Sequence, residues 1–572
     1  MEKRTLYIVV AIVVALAIIG GVTAWVILSA PPAASKYTIE LWYNNDGHYG
    51  DTEAALAQTL QQSIQACGKI QVTLKSDTWA VYKQNWAAGR MPMFLLGWYP
   101  DYFDTDDYIS PFLSTSGAKS EGSFYSNATV DQWITDEQTN PAVRADRFAK
   151  VQQVLSDQAL YIPLFSGRAD AAYVNGVTNV VLHPVVFKWF IMGKTGASQI
   201  NASTSDKVIT FDPASAYDYF SIEIINQVFD TLLVYDWNTT TIMPGLATQI
   251  PTVANGGISA DGKNYTYHLR PGITFSDGTA FNSTVMKRSI DRAIRLDLAG
   301  SAAFLLYDVG ALGRSAANGN NTAPGVITTP DPYNITFHLQ RPVAFFNDLM
   351  AFSVSAPVPW SYSQTGEQPS TVGSVIGTGP YVLTQHTPNQ LVALQARSNY
   401  YNAGLYAPQI PTIPVAQKVV INIRSTATAL KNDIETKAVD VVYRTFAPTD
   451  LTDLQTKQST LGITVKIGAS PQIRFLVFQV NTNTTGTIPK GITDVRIRQA
   501  IAYSVDRAQI NSVVFNGLVT PLYSMVPPSM PYYAPVFQTG YGDHNCNASN
   551  NLMSQVGYMI GFHPATIMAR DE

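Results

Sequence analysis

Residues 6–28, LYIVVAIVVALAIIGGVTAWVIL, form an apolar run of 23 residues with no charge in it. A helix of about 20 apolar residues is long enough to cross the hydrocarbon core of a bilayer. Lys3 and Arg4 precede the run, and no further charge appears until Lys36. The positive-inside bias therefore predicts a single-pass anchor in the cell membrane, with everything after Ala30 outside the cell and Trp25 at the outer interface. A cleaved signal peptide is the competing reading, since Ala30 and the following residues are small, but signal cores usually run about 7–15 residues. No cysteine lies near the run to take a lipid. An exported body occupies a compartment in which disulfides form.

The body is neither basic nor cysteine-rich. Lys and Arg number 37 against 41 Asp and Glu, a net charge of −4, so the basic stripe of a nucleic-acid protein is absent. Charged residues are only 14%, against roughly 25% in average globular proteins. The polar surface must then rest on Ser, Thr, Asn, Gln and Tyr. A chain of 572 residues exceeds what one core serves, and two to four domains are expected. Two cysteines, Cys67 and Cys546, cannot build a disulfide framework or a four-cysteine zinc site. Nine Asn-x-Ser/Thr sequons, at Asn127, Asn201, Asn238, Asn264, Asn282, Asn320, Asn334, Asn483 and Asn547, agree with an extracellular surface that could be glycosylated.

Periodicity predicts an α/β body. Residues 37–43 (YTIELWY) alternate as a strand, and 52–66 repeat Leu56, Leu60 and Ile64 at helical spacing behind a Thr52 cap. Strands at 69–74 and 94–97 and a helix at 142–158 continue the alternation. Later come a strand at 265–269, a helix at 283–294 capped by Asn282 or Ser283, a strand at 473–480 and a helix within 495–514. The small, polar stretch 192–206 reads as a linker.

No nucleophile elbow, phosphate loop, dinucleotide fingerprint or HExxH helix is present. No two of the seven histidines sit three or four residues apart. The acidic run Asp101, Asp104, Asp106, Asp107 lacks the glycine and distal glutamate of a calcium loop. The chain is read as a binding protein, not an enzyme, with no cofactor and no metal.

From Gly262 the chain reads GKNYTYHLRPGITFSDGTAFNSTVMKRSIDR. This resembles the signature of the family 5 solute-binding proteins of ABC importers, the oligopeptide and dipeptide receptors. Phe211-Asp212-Pro213, the VFDTLLVYD run at 228–236, PGLA at 244–247, GTGPY at 377–381, ARSNYY at 396–401 and DVRIRQAIAYSVDR at 494–507 extend the likeness. Gly97-Trp98-Tyr99-Pro100-Asp101-Tyr102 is similar to the family's GWxxDY. That motif lies near the family's C-terminus, yet here it precedes the family's usual start. Segment 204–558 followed by 37–195 restores the usual order, with each part present once. A circularly permuted chain is the preferred reading over a fusion of two truncated genes.

The resemblance implies a bilobal periplasmic-binding-protein-like fold with an extra domain on the first lobe. The expected division is an anchor segment at 1–35, lobe II in two parts at 36–165 and 473–558, lobe I at 166–245 and 370–472 including the linker at 192–206, the extra domain at 246–369, and an unassigned tail at 559–572. It implies a monomer that captures peptide between its lobes and hands it to ABC permease subunits, with oligosaccharide capture, or a non-transport envelope or signalling role, as alternatives. By the family pattern Asp101 meets the ligand's ammonium group, with Trp98 and Tyr102 as aromatic wall. The arginine that some oligopeptide receptors carry six residues earlier is replaced by Leu95, and the dipeptide receptors' loop arginine by Gly47 or His48. His48 and Tyr49 are then candidates for a ligand carboxylate, and Tyr217 for the cleft by position. With both on lobe II, Cys67 and Cys546 are candidates for a disulfide.

Overall fold

Alternation along Tyr37–Asn44 buries Tyr37, Ile39 and Leu41 on one face of a strand. Leu56, Leu60 and Ile64 line the buried stripe of helix Glu53–Ala66, which packs on it. Burying each such aliphatic chain stabilises the fold by about 1.5–3 kcal/mol before entropy is counted. Thr52 holds the N-cap position but its side chain makes no capping bond. Asn282 does cap helix Ser283–Leu296, accepting from the Val285 amide at 3.0 Å. The structure, a computed structural model, describes residues 36–46, 48–314, 326–481 and 490–556.

One mixed sheet runs through the body. Its order is Tyr381–Thr387, Leu391–Ala396, Lys418–Ile423, Gln199–Thr204, Val441–Tyr443, Tyr161–Val174, Ile463–Phe478, Met93–Trp98, Tyr37–Asn44 and Ile70–Asp77. The two long central strands, Tyr161–Val174 and Ile463–Phe478, pair antiparallel along their length. Their register shifts between Ala469 and Ile473, opposite Ser166–Arg168. On one side of this break lies a core drawn from residues 37–165 and 473–553; on the other lies a core drawn from 171–463. A third core, almost wholly from 214–354, surrounds the small sheet of Asn264–His268, Asn334–His338 and Ile327–Asp331. The fold is α/β and bilobal, with a further domain on one lobe.

Residues far apart in sequence complete lobe II. The Tyr37 amide donates to the Lys69 carbonyl at 3.0 Å, and Lys69 Nζ donates to the Asn550 carbonyl at 3.1 Å. The last described helix, Cys546–Gln555, thus lies beside the first strand. A disulfide joins Cys67 to Cys546 across 479 positions, with Cα atoms 4.7 Å apart.

Several expectations are corrected. Residues 192–206 are not a linker: Gln199–Thr204 is a strand inside the main sheet, parallel to both Lys418–Ile423 and Val441–Tyr443. A strand covered on both faces loses the polar alternation that marks a half-exposed one, and here Ala202, Ser203 and Thr204 are all buried. The strand expected at 473–480 begins ten residues earlier, at Ile463. The helix expected within 495–514 is present as Val495–Ser504, and Asp506 caps a new turn after it by accepting from the Gln509 amide at 2.8 Å. Among the described sequons, Asn201 lies in the central sheet, half-buried, with its backbone amide donating to Asp440. Asn264, Asn282 and Asn334 are half-buried, while Asn127, Asn238 and Asn547 are exposed. Among the described residues no helix is long and apolar enough to cross a membrane. The anchor expected at 1–35, Gly47, Asn320, Asn483 and the tail 559–572 lie outside the described residues.

Candidate ligand-binding cleft

Strand Met93–Trp98 ends at the junction of the two lobes, and the chain continues through Tyr99 and Pro100 to Asp101. Crevices beyond the carboxyl ends of parallel strands are the usual ligand sites of α/β sheets. A cavity of about 160 Å³ opens there. Tyr99, Pro100 and Asp101 line it from lobe II, Tyr217, Tyr219, Ile222 and Asn226 from lobe I, and Phe352 and Ser353 from the added domain.

Asp101 is 8% exposed, and its Oδ2 accepts from the Tyr217 hydroxyl at 2.8 Å. That hydrogen bond crosses from one lobe to the other. No lysine or arginine among the described residues pairs with Asp101. Burial pushes its carboxyl up to about 7, against the lowering effect of the Tyr217 bond. Asp107 stands behind it, accepting from the Asp101 amide at 2.8 Å and from Trp98 Nε1 at 3.2 Å. Burial, then the Asp101 charge, hold Asp107 well above the carboxylate range. Glu121, half-buried and with no hydrogen-bond donor to its side chain among the described residues, is raised to about 8 by burial and then by Asp101. The cleft wall therefore holds one buried carboxyl group, Asp101, with no cation beside it among the described residues, a state that a cationic ligand group relieves. Ser353 Oγ, buried and without a partner among the described residues, is a further polar atom on the cavity wall.

The rest of the acidic run is committed elsewhere. Asp104 caps a turn by accepting from the Asp106 amide and forms a two-point ion pair with Arg144. Asp106 accepts from the Tyr102 hydroxyl at 2.6 Å and from Gln138 Nε2 at 2.9 Å.

A model of the bacterial extracellular solute-binding proteins, family 5, matches residues 32–120 and 241–569. The chain belongs to this family. The glutathione-binding protein GsiB of Salmonella typhi is 25% identical over 370 residues, covering 64% of this chain and 63% of that protein. The chain thus spans less than two thirds of that curated relative. Among solved structures, OppA of Burkholderia pseudomallei is 17% identical, covers 64% of this chain and 68% of its own, and gives a TM-score of 0.47. DppA of Helicobacter pylori in complex with the peptide STSA is 18% identical, with 63% and 66% covered and a TM-score of 0.46. These family 5 proteins are binding proteins, not enzymes.

The expected site residues divide. Asp101 and Tyr217 meet across the cavity. Trp98 points away, edge-on to Phe112 at 5.2 Å between ring centres. Tyr102 is buried and stacks on Phe345 at 4.8 Å in the core of the added domain. His48 stacks on Trp79 at 3.7 Å, and the Tyr49 hydroxyl accepts from the Gly97 amide at 3.1 Å. Neither lines the cavity. Arg474 lies over the Tyr49 ring at 3.6 Å and pairs with buried Glu53. The residues missed were Tyr99, Tyr219, Asn226 and Ser353. Tyr99 directly follows the end of strand Met93–Trp98, so no strand period marks it in the sequence.

Proposed function

We propose that this family 5 protein is an extracellular receptor that captures peptides bearing a free amino terminus by closing its lobes, and that it delivers them to an ABC permease at the membrane. The observation that carries this reading is Asp101, buried without a cation and bonded across the lobes by Tyr217. The tyrosine hydroxyl holds the carboxylate's place until an ammonium group takes it. The register break in the two central strands is the natural hinge, since ladder bonds are weakest there. Residues 1–35 supply the anchor.

The pH dependence follows from the raised carboxyl. Asp101 is mostly protonated below about pH 7 and must ionise to pair with an ammonium group, so binding releases a proton there. Affinity should fall about tenfold per pH unit below 7 if Asp101 alone supplies that proton, and should fall again above about 8 as the ligand's α-amino group loses its charge. Calorimetry across pH 5.5–9, in buffers of differing ionisation enthalpy, reads both effects. A flat profile with no proton release excludes the ammonium role. A neutral oligosaccharide produces that flat profile.

We further read the chain as circularly permuted. In support, residues 37–165 and 473–553 share one core, and Lys69 touches both the first strand and the last described helix. A chain rebuilt as 196–556 joined by a short linker to 37–195, which keeps strand Gln199–Thr204 whole, should fold and bind as the natural one does. Failure of that chain to fold, while the natural order folds, would count against the permutation.

A further inference from the structure

We propose that Cys67, Cys546 and His544 form a zinc site once the disulfide between the two cysteines is reduced, so that coordinate bonds replace the covalent one in fastening the start of the described chain to its end.

Cys67 follows helix Glu53–Ala66, and Cys546 opens the last described helix, Cys546–Gln555. Their disulfide brings the two Cα atoms to 4.7 Å. His544 stands two residues before Cys546, and its Nε2 lies 3.6 Å from the Cys546 Sγ. One ligand atom from each of the three residues lies within 4.8 Å of the other two. Tetrahedral zinc takes thiolate sulfur at about 2.3 Å and imidazole nitrogen at about 2.0–2.1 Å. Those bond lengths set a sulfur-to-nitrogen edge of about 3.5 Å, which His544 and Cys546 already match. The two sulfurs need only part to an edge of about 3.8 Å, a change that side-chain rotation supplies.

The surroundings set the histidine for this role. Its Nδ1 lies 3.2 Å from the Ser504 carbonyl. A proton on Nδ1 donates to that oxygen and leaves the Nε2 lone pair toward the sulfur, as in most metal-bound histidines. The backbone is pinned as well: the His544 amide donates to the Val505 carbonyl at 2.9 Å and the Asn545 amide to the Tyr503 carbonyl at 2.7 Å. Asn545 caps the last helix by accepting from the Ala548 amide at 3.1 Å, so Cys546 lies in a first turn whose backbone N–H groups favour an anionic sulfur. Cys67 is buried and His544 exposed. The site is therefore closed on one side and open to solvent on the other, where a water completes four ligands.

A dithiol opens the disulfide by attack of one thiolate on a cysteine sulfur. Its second thiol then closes the mixed disulfide, leaving two protein thiols and a cyclic disulfide, with two electrons passed to the protein. Zinc displaces the two thiol protons to solvent. Lys69, which donates to the Asn550 carbonyl and to Ser554, is the neighbouring fastening of the same helix; the metal restores the cross-link beside it.

The test reduces the full chain with a water-soluble phosphine, which takes up the oxygen of one water per disulfide and becomes the phosphine oxide. The protein is desalted without air and titrated with Zn²⁺, and with Cd²⁺ for its thiolate absorption. The reduced wild type should take up one ion per chain with thiolate absorption, the oxidised protein none, and zinc should raise the Tm of the reduced protein above its value in chelator. His544→Ala should weaken uptake by at least the roughly 10- to 100-fold that loss of an outer-shell partner costs. Because His544 is exposed, oxidised His544→Ala should melt as oxidised wild type does, so the loss reads ligation and not folding. No uptake by the reduced wild type overturns the proposal, as does equal uptake by the oxidised protein, by reduced His544→Ala or by the Cys67→Ser, Cys546→Ser double variant. A reduced wild type that unfolds and that zinc does not refold overturns it too.

Discussion

Asp101→Asn should weaken binding of a free-amine peptide while making the ligand-free protein more stable at pH 8. The substitution keeps the shape and the bond to Tyr217 but removes the charge. Stranding a buried ammonium without its partner costs roughly 3–5 kcal/mol, or about two to four orders of magnitude in affinity. The stability effect has the opposite sign. The folded-state carboxyl is raised to about 7, above its unfolded value near 3.9. The stability it contributes is therefore fully present below about pH 4 and is lost as pH rises through about 7. Asparagine carries no such cost above pH 7. Calorimetry and thermal melts at pH 8 read the two effects. A variant that binds free-amine peptide as wild type does, or that melts lower without ligand, contradicts the assignment.

The second large effect concerns architecture. Arg292 and Asp212 form a two-point ion pair, with Nη1 to Oδ1 at 2.8 Å and Nη2 to Oδ2 at 2.6 Å, both side chains being 1% exposed or less. Arg292 also donates to the Ser363 carbonyl at 2.6 Å, and Asp212 accepts from the Gln368 and Ala214 amides. The pair fastens helix Ser283–Leu296 to the loop after strand Gln199–Thr204. It thereby ties two of the family motifs, FDP at 211–213 and the end of the long signature, to one another. Arg292→Met leaves a buried carboxylate unpaired and should destabilise the fold by about 3–5 kcal/mol, whereas Arg292→Met with Asp212→Leu should recover most of that loss. Denaturant melts of both variants check this. A single variant as stable as wild type, or a double variant no better than the single, contradicts the role given to the pair.

What was legible in the sequence follows from how each signal arises. Half-exposed elements such as Tyr37–Asn44 and Ser283–Leu296 show their period because one face meets water. Strand Gln199–Thr204 was hidden because three successive residues are buried small or polar ones, which look like a linker. Asp101 was legible only through its motif, since nothing in composition marks one aspartate among several. Trp98 and Tyr102, expected as cleft wall from the motif read as a block, do not line the cavity. The alternation of the strand sends Trp98 to Phe112, and the turn after Asp101 sends Tyr102 into the added domain. Ser353 carries no local signal: its place on the cavity wall depends on contacts between segments hundreds of residues apart.

The most direct measurement is mass spectrometry of solute released by denaturing protein that was purified without added ligand. The account predicts a peptide with an unblocked amino terminus, present at a substantial fraction of the protein. A sugar, or a solute with no amine, recovered at that level would contradict it.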